Sequence, residues 1–119
     1  MSAKKEWGGT LKESQLQTDI KDAINAAGIG QCWVASSGTF KSLDGRRYIQ
    51  GMPEGFPDLF GFRRRDGKMF FIEVKRPKQT RSDEQIAFGD SLRGAVLYGV
   101  ARSIDDAFEI LGFGDLARG

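Results

Sequence analysis

The residues best suited to chemistry in this chain are Asp58, Glu73 and Lys75. Asp58 follows Pro57 at the start of one hydrophobic run, and Glu73-Val74-Lys75 closes the next, Lys68-Met69-Phe70-Phe71-Ile72. The aromatic and β-branched content of that second run marks a strand largely buried on both faces. Removing water from a charge is costly unless a partner or a metal compensates. An acid and a base two residues apart on such a strand, with a second acid on its neighbour, therefore point to a shared site. The competing reading, a structural ion pair, must accommodate two carboxylates that repel each other.

Asp66-Gly67 between the runs is a strong signal for a two-residue hairpin turn. With those two residues as the loop, Arg65 pairs with Lys68, Asp58 lies opposite Lys75, Phe60 opposite Glu73 and Phe62 opposite Phe71. Alternation along the strands then puts Asp58, Glu73 and Lys75 on one face. Asp58 and Glu73 become diagonal neighbours, roughly 7–8 Å apart at Cα and able to converge on one ion. A slip of one residue would send Asp58 to the other face.

Composition narrows the chemistry. The chain has 119 residues, no histidine and one cysteine, Cys32. Imidazole-based triads, histidine-ligated zinc, multi-cysteine zinc and an internal disulfide are all excluded. Metal chemistry would have to use oxygen ligands, which favours Mg²⁺ or Mn²⁺. Length suggests one domain, residues 11–119 behind a loose polar stretch over residues 1–10. No apolar run approaches membrane-spanning length and no leader pattern opens the chain, so a soluble intracellular protein, bacterial or phage-encoded, is expected. Net charge is only +2, but residues 63–81 hold eight basic side chains against two acidic ones. Cations flanking carboxylates suit a polyanionic substrate. Lys78 and Arg81, with Arg76 beside them, directly follow the site and are placed for phosphate contact. Arg63, Arg64 and Arg65 are equally well read as a solvated hairpin tip.

The elements that must position these groups follow from periodicity. Leu16, Ile20, Ala23, Ile24 and Ala27 recur at helical spacing over 11–27, with Glu13 and Gln17 along the same stripe and Gly28 as the stop. Residues 32–36 read as a strand. Residues 37–55, with four glycines, read as a mobile loop with a short strand at 47–50. In that loop Ser36, Ser37 and Arg46 either grip nucleic acid or are simply solvated. Pro77 ends the second site strand. Ser82-Asp83-Glu84-Gln85 has the form of a capping box opening a helix closed by Gly94. A strand over 95–101 and a helix capped by Ser103 and ended by Gly112 complete the order α-β-(β)-β-β-α-β-α. That order predicts a small α/β sandwich, a mixed central sheet flanked by helices. Trp7 and Trp33 read as packing residues rather than base-stacking platforms.

The motifs together resemble the VRR-NUC domain family of the PD-(D/E)XK nuclease superfamily. The residues that carry the likeness are Gly55-Phe56-Pro57-Asp58-Leu59, Phe71-Ile72-Glu73-Val74-Lys75, the helix start Ser82 to Gln85, and Glu13-Ser14. The resemblance runs from about Glu13 to Leu111. It implies a restriction-endonuclease-like sandwich and a Mg²⁺- or Mn²⁺-dependent DNA endonuclease that leaves a 5′-phosphate and a 3′-hydroxyl. By the same likeness Asp58, Glu73 and the Val74 carbonyl would ligate metal. Lys75 would position or activate water. Glu13 would hold a metal-bound water or a second ion, and Gln85 would steady the lysine or the water. The competing reading of Glu13 is a first-turn carboxylate favoured by the helix dipole, and of Gln85 a capping residue alone. Size and motif order are also similar to archaeal Holliday-junction resolvases, so a homodimer resolving four-way DNA is the specific expectation. Flap cleavage, single-strand nicking and a non-catalytic nucleic-acid-binding module are the alternatives. A mononucleotide phosphoryl-transfer enzyme is disfavoured by the lack of a glycine-rich phosphate loop.

Overall fold

The structure is a computed structural model that describes residues 12–36 and 39–118. Its elements are α1 (Lys12–Ala27), β1 (Gly30–Val34), β2 (Thr39–Lys41), β3 (Tyr48–Gln50), β4 (Leu59–Arg63), β5 (Met69–Val74), α2 (Asp83–Leu92), β6 (Leu97–Ala101), α3 (Ile104–Ile110) and α4 (Gly114–Arg118). The expected stripe on α1 is buried at Ile20 and Ile24, with Leu16 and Ala23 packed beside them. Ser82 and Gln85 form the reciprocal capping box that starts α2. Ser103 accepts from the Asp106 N–H to start α3, while Asp106 accepts from the Arg102 N–H. The short helix α4 was not expected. The stretch proposed as a loose terminus, 1–10, lies outside the described residues.

A four-stranded mixed sheet in the order β1-β4-β5-β6 carries the fold, antiparallel except for the parallel pair β5–β6. A mixed α/β sandwich was the expectation, and the sheet with its flanking helices bears it out. The first strand runs two residues earlier than 32–36 predicts, because Asn25 of α1 reaches over to pin it. The Asn25 side chain accepts from the Cys32 N–H at 2.8 Å and donates to the Cys32 carbonyl, which occupies part of the sheet's outer edge. The short strand expected at 47–50 exists as β3, but it pairs with β2 in a separate two-stranded ribbon.

The sheet has two unlike faces. On one, Leu59, Phe70, Ile72 and Val74 meet Ile20 and Ile24 of α1, Ala107 and Phe108 of α3 and the Leu111 that caps it in a buried apolar core. On the other, the register aligns four aromatics across all four strands: Trp33 with Phe60, Phe60 with Phe71, and Phe71 with Tyr98. Helix α2 covers only the β5–β6 half of that face. It comes close there because residue 89 is glycine; a Cβ would lie 2.5 Å from the Tyr98 ring. Trp33, at the end that no helix covers among the described residues, packs against Phe60 and Phe62 as expected of it but is 45% exposed.

The β4–β5 hairpin also departs from its expected register. Leu59 pairs with Ile72, Phe60 with Phe71 and Phe62 with Met69. The connection is a four-residue loop, 64–67, in which Arg63 pairs with Lys68 and the Gly67 N–H reaches back to the Arg63 carbonyl. The two-residue turn loses because Asp66 is not free to sit in it. Its carboxylate is held by the Arg63 guanidinium through two bonds, at 3.0 and 2.7 Å, and also accepts from the Lys68 N–H. The slip is two residues, so every side chain keeps its face. Asp58 now lies directly opposite Glu73 instead of diagonal to it.

Candidate active site

The carboxylate pair is set by the segment before β4. Gly55 adopts φ +87° and lies against the Glu84 carbonyl of α2, where a Cβ would come within 2.6 Å. Only glycine fits both the conformation and the approach. The following Pro57 is fully buried. Carried two residues beyond Leu59–Ile72, the register sets Pro57 against Val74. Proline has no N–H, so the ladder cannot close on the Val74 carbonyl there. The Val74 N–H turns instead to Asp58 Oδ2, at 2.8 Å. The missing N–H leaves the Val74 carbonyl for other work, while the Asp58 carboxylate takes up the Val74 N–H at the strand end.

Glu73 is wholly buried. Its Oε1 accepts from Gln85 Nε2 at 3.3 Å, and its Oε2 is buried without a hydrogen-bond donor. Burial, reinforced by the charge of Asp58, pushes the Glu73 carboxyl up to about 8. Burial also raises Asp58; the Val74 N–H pulls the other way and the charge of Glu13 adds to the rise. Lys75 is only 6% exposed, and its charge favours the ionised form of both acids. Its backbone N–H extends the parallel ladder to the Ala101 carbonyl. Two facing carboxylates with an orphaned oxygen call for a proton or a cation between them.

The remaining expected residues divide between those drawn to this point and those that are not. Gln85 completes the capping box with its backbone and side chain, and its amide reaches Glu73 rather than the lysine it was expected to steady. Glu13 approaches from α1 closely enough to act on Asp58, and its Oε1 accepts from Gln79 Nε2 at 3.1 Å. Among the described residues, no group of three or more Asp, Glu, Cys or His side chains is arranged to hold an ion. A cation there would rest on Asp58, Glu73, the Val74 carbonyl and water. Those hard oxygen donors fit Mg²⁺ or Mn²⁺ with coordination positions to spare.

Arg81 is half-buried rather than solvated. It donates to the Tyr98 hydroxyl at 3.1 Å, lies over the Tyr98 ring and adds positive charge near Glu73. Lys78 and Arg76 are exposed beside the site. Arg46 is exposed at the tip of the β2–β3 ribbon, where its N–H donates to Asp44 within the same turn. Ser37 and Trp7 lie outside the described residues. Arg63, Arg64 and Arg65 are committed at the other end of the hairpin, to Asp66, Gln31 and the Phe113 ring respectively.

Sequence reasoning missed Gln79 and Arg102. Gln79 accepts from the Arg76 N–H and donates to Glu13, so it ties α1 to the strand end. Arg102 donates to the carbonyls of both Arg76 and Gln79 and fixes the turn between them. The available signal was Pro77 at the second position of a four-residue turn.

Comparison with known proteins agrees with this geometry. No curated protein and no solved structure matches the chain. The VRR-NUC domain family does, over residues 11–105, a span that holds α1, the whole sheet, α2 and every residue of the carboxylate site. The chain belongs to the VRR-NUC family, and its fold is that of a PD-(D/E)XK-like nuclease domain acting on DNA.

Proposed function

We propose that the protein is a divalent-metal-dependent DNA endonuclease whose centre is Asp58, Glu73 and Lys75. The observation that carries this reading is the orphaned, buried Glu73 Oε2 facing a second carboxylate beside a buried lysine. Asp58, Glu73 and the Val74 carbonyl would hold Mg²⁺ or Mn²⁺, which when bound supplies Lewis-acid activation of the scissile phosphate and of water. The protein's own groups do the rest. Lys75 orients the attacking water and balances charge building on the phosphate oxygens. Gln85 holds the Glu73 carboxylate in a fixed rotation. Glu13, steadied by Gln79, accepts a hydrogen bond from a water on the open side of the pair. Lys78, Arg81 and Arg76 line the exit from β5 and suit contact with the flanking phosphates.

Branched DNA is the proposed substrate, cut by two copies acting together. One carboxylate pair cuts one strand at a time, so paired cuts in a four-way junction need two centres, most simply related by a twofold axis. The test compares labelled linear, flap and four-way substrates in Mg²⁺, Mn²⁺ or EDTA, with light scattering on the same sample. Cleavage of the four-way substrate that needs the metal, by a particle of twice the chain mass, is expected. Metal-independent cleavage would sink the proposed centre. Equal rates on linear and four-way DNA, or a monomer at working concentration, would sink the junction reading alone.

A further inference from the structure

The Trp33 end of the aromatic sheet face, which no helix covers among the described residues, lies one pleat from the carboxylates, and Phe56 packs edge-on against Phe60 and Phe71 beside it. Trp33 and Phe60 share one level of the sheet, and Asp58 and Glu73 share the next level on the same face. Successive same-face residues on a strand are about 6.6 Å apart. Trp33 is 45% exposed, Met69 is 38% exposed, and Phe60 and Phe62 are half-buried. The Trp33 ring meets Phe60 at 5.7 Å and Phe62 at 6.2 Å, both tilted, so the indole is braced from below while part of it stays open. At the rim the Arg64 guanidinium lies over the Phe62 ring and is held by Gln31. An apolar ring platform bordered by a cation and continuous with a phosphodiester-cleaving centre has a narrow choice of occupant.

We infer that Trp33, braced by Phe60 and Phe62, is a stacking platform for unpaired nucleobases of the strand whose backbone lies at Asp58 and Glu73. The inference rests on the nuclease reading and deepens it by naming what the site prefers. Base faces inside a duplex are already covered by their neighbours, whereas a displaced or single-stranded base has a face to give. Stacking on a ring is indifferent to base identity, and Arg64 adds charge attraction to the phosphate that follows. The platform therefore discriminates DNA structure rather than sequence. It would favour substrates with unpaired nucleotides next to the cut.

The experiment reads binding without cleavage. Trp7→Phe makes Trp33 the sole indole, and its emission is titrated in EDTA with an oligothymidine strand and with a blunt duplex of equal length. Saturable quenching by the single strand, and much less by the duplex, is expected. Trp33→Leu should weaken single-strand binding about tenfold, the scale of one lost stacking contact, while Trp33→Phe keeps most of it. Equal quenching by strand and duplex, or unchanged affinity in Trp33→Leu, overturns the inference. So does emission that shifts with protein concentration alone, with a doubled mass that Trp33→Leu abolishes, because the face then belongs to a second copy. Failure of the nuclease reading looks different: bases would still quench Trp33, but no metal would support cleavage.

Discussion

The two ends of the β4–β5 hairpin carry the same kind of acid in opposite circumstances. At the turn, Asp66 is gripped by the Arg63 guanidinium, which donates its third bond to the Leu111 carbonyl of the core. The Asp66 carboxyl is held well below the usual carboxylate range by that bond. At the open end, Asp58 faces Glu73 across the same two strands, both are pushed up by burial, and one oxygen has no donor. The hairpin is locked at its turn and left electrostatically unfinished at the end proposed to be functional. The proposed centre lies at the end where stability is given up, and that contrast does not depend on any motif.

Substitutions at the two ends should therefore fail in different ways. Lys75→Ala, Asp58→Asn and Glu73→Gln should each lower metal-dependent cleavage by about a thousandfold, the scale of losing a positioned acid–base or charge-stabilising group. Single-turnover rates on a labelled substrate check this, with circular dichroism showing the fold intact. A Lys75→Ala protein that cuts at the wild-type rate would remove the lysine from the mechanism. Arg63→Ala should do the reverse. It strips the Leu111 carbonyl and Asp66 of their donor and should cost about 1–3 kcal/mol in urea unfolding. The cleavage rate per folded molecule should hardly move. A large rate loss at full stability would mean that the turn also touches substrate.

The ends should also answer pH with opposite signs. A carboxyl with a raised folded pKa binds more protons folded than unfolded, so its contribution to stability falls as pH rises between the two values. For Glu73 that window runs from an ordinary 4.5 up to about 8. Asp66, with its pKa lowered, stabilises above its unfolded value and loses that support as pH falls toward its folded one. Urea unfolding of wild type and Glu73→Gln at a series of pH values separates the two. Across the Glu73 window the wild type should lose ground to the variant, by at most about 1.4 kcal/mol per pH unit. Added Mg²⁺ should restore much of the loss. A difference that stays flat with pH, and is unmoved by Mg²⁺, would mean that the pair is satisfied by something else.

Much of this contrast was legible in the residues, because burying charge in a strand is expensive enough to be informative. Alternation counted from the Asp-Gly turn placed Asp58, Glu73 and Lys75 on one face, and that survived a wrong register because the slip was even. The turn was misread for a local reason. Asp-Gly favours a two-residue loop, but Arg63 three residues earlier offers Asp66 a bidentate partner, and the longer loop satisfies it. Helix starts were readable wherever a Ser cap stood three residues before a suitable partner, as at Ser82 and Ser103. The exposure of Trp33 was not legible, because an aromatic in a strand says nothing about whether a helix will cover its face. Pro77 marked the turn, but the reach of Gln79 to Glu13 and of Arg102 to that turn was not legible, because those bonds link segments far apart in the chain. The unpaired Val74 carbonyl had a cause in sequence, Pro57, that only the register could expose.

The smallest expected effect lies in the turn that leaves the site. Lys78 follows Pro77 and takes φ +71°, at the position of a Pro-initiated turn where glycine is usual. The Gln79 N–H closes that turn on the Arg76 carbonyl, and Arg102 clamps it. A lysine in left-handed backbone costs up to about 1 kcal/mol, which glycine would relieve while gaining freedom in the unfolded chain. Lys78→Gly should therefore leave stability within about 1 kcal/mol of wild type. Affinity for DNA should fall, and the steepness of its salt dependence should drop by about one phosphate contact. Binding isotherms in EDTA over a range of salt, beside urea unfolding, measure both. If the glycine variant binds DNA as tightly as wild type with an unchanged salt slope, the strained lysine serves the turn and not the substrate. The functional end of the hairpin would then reach no further than Lys75.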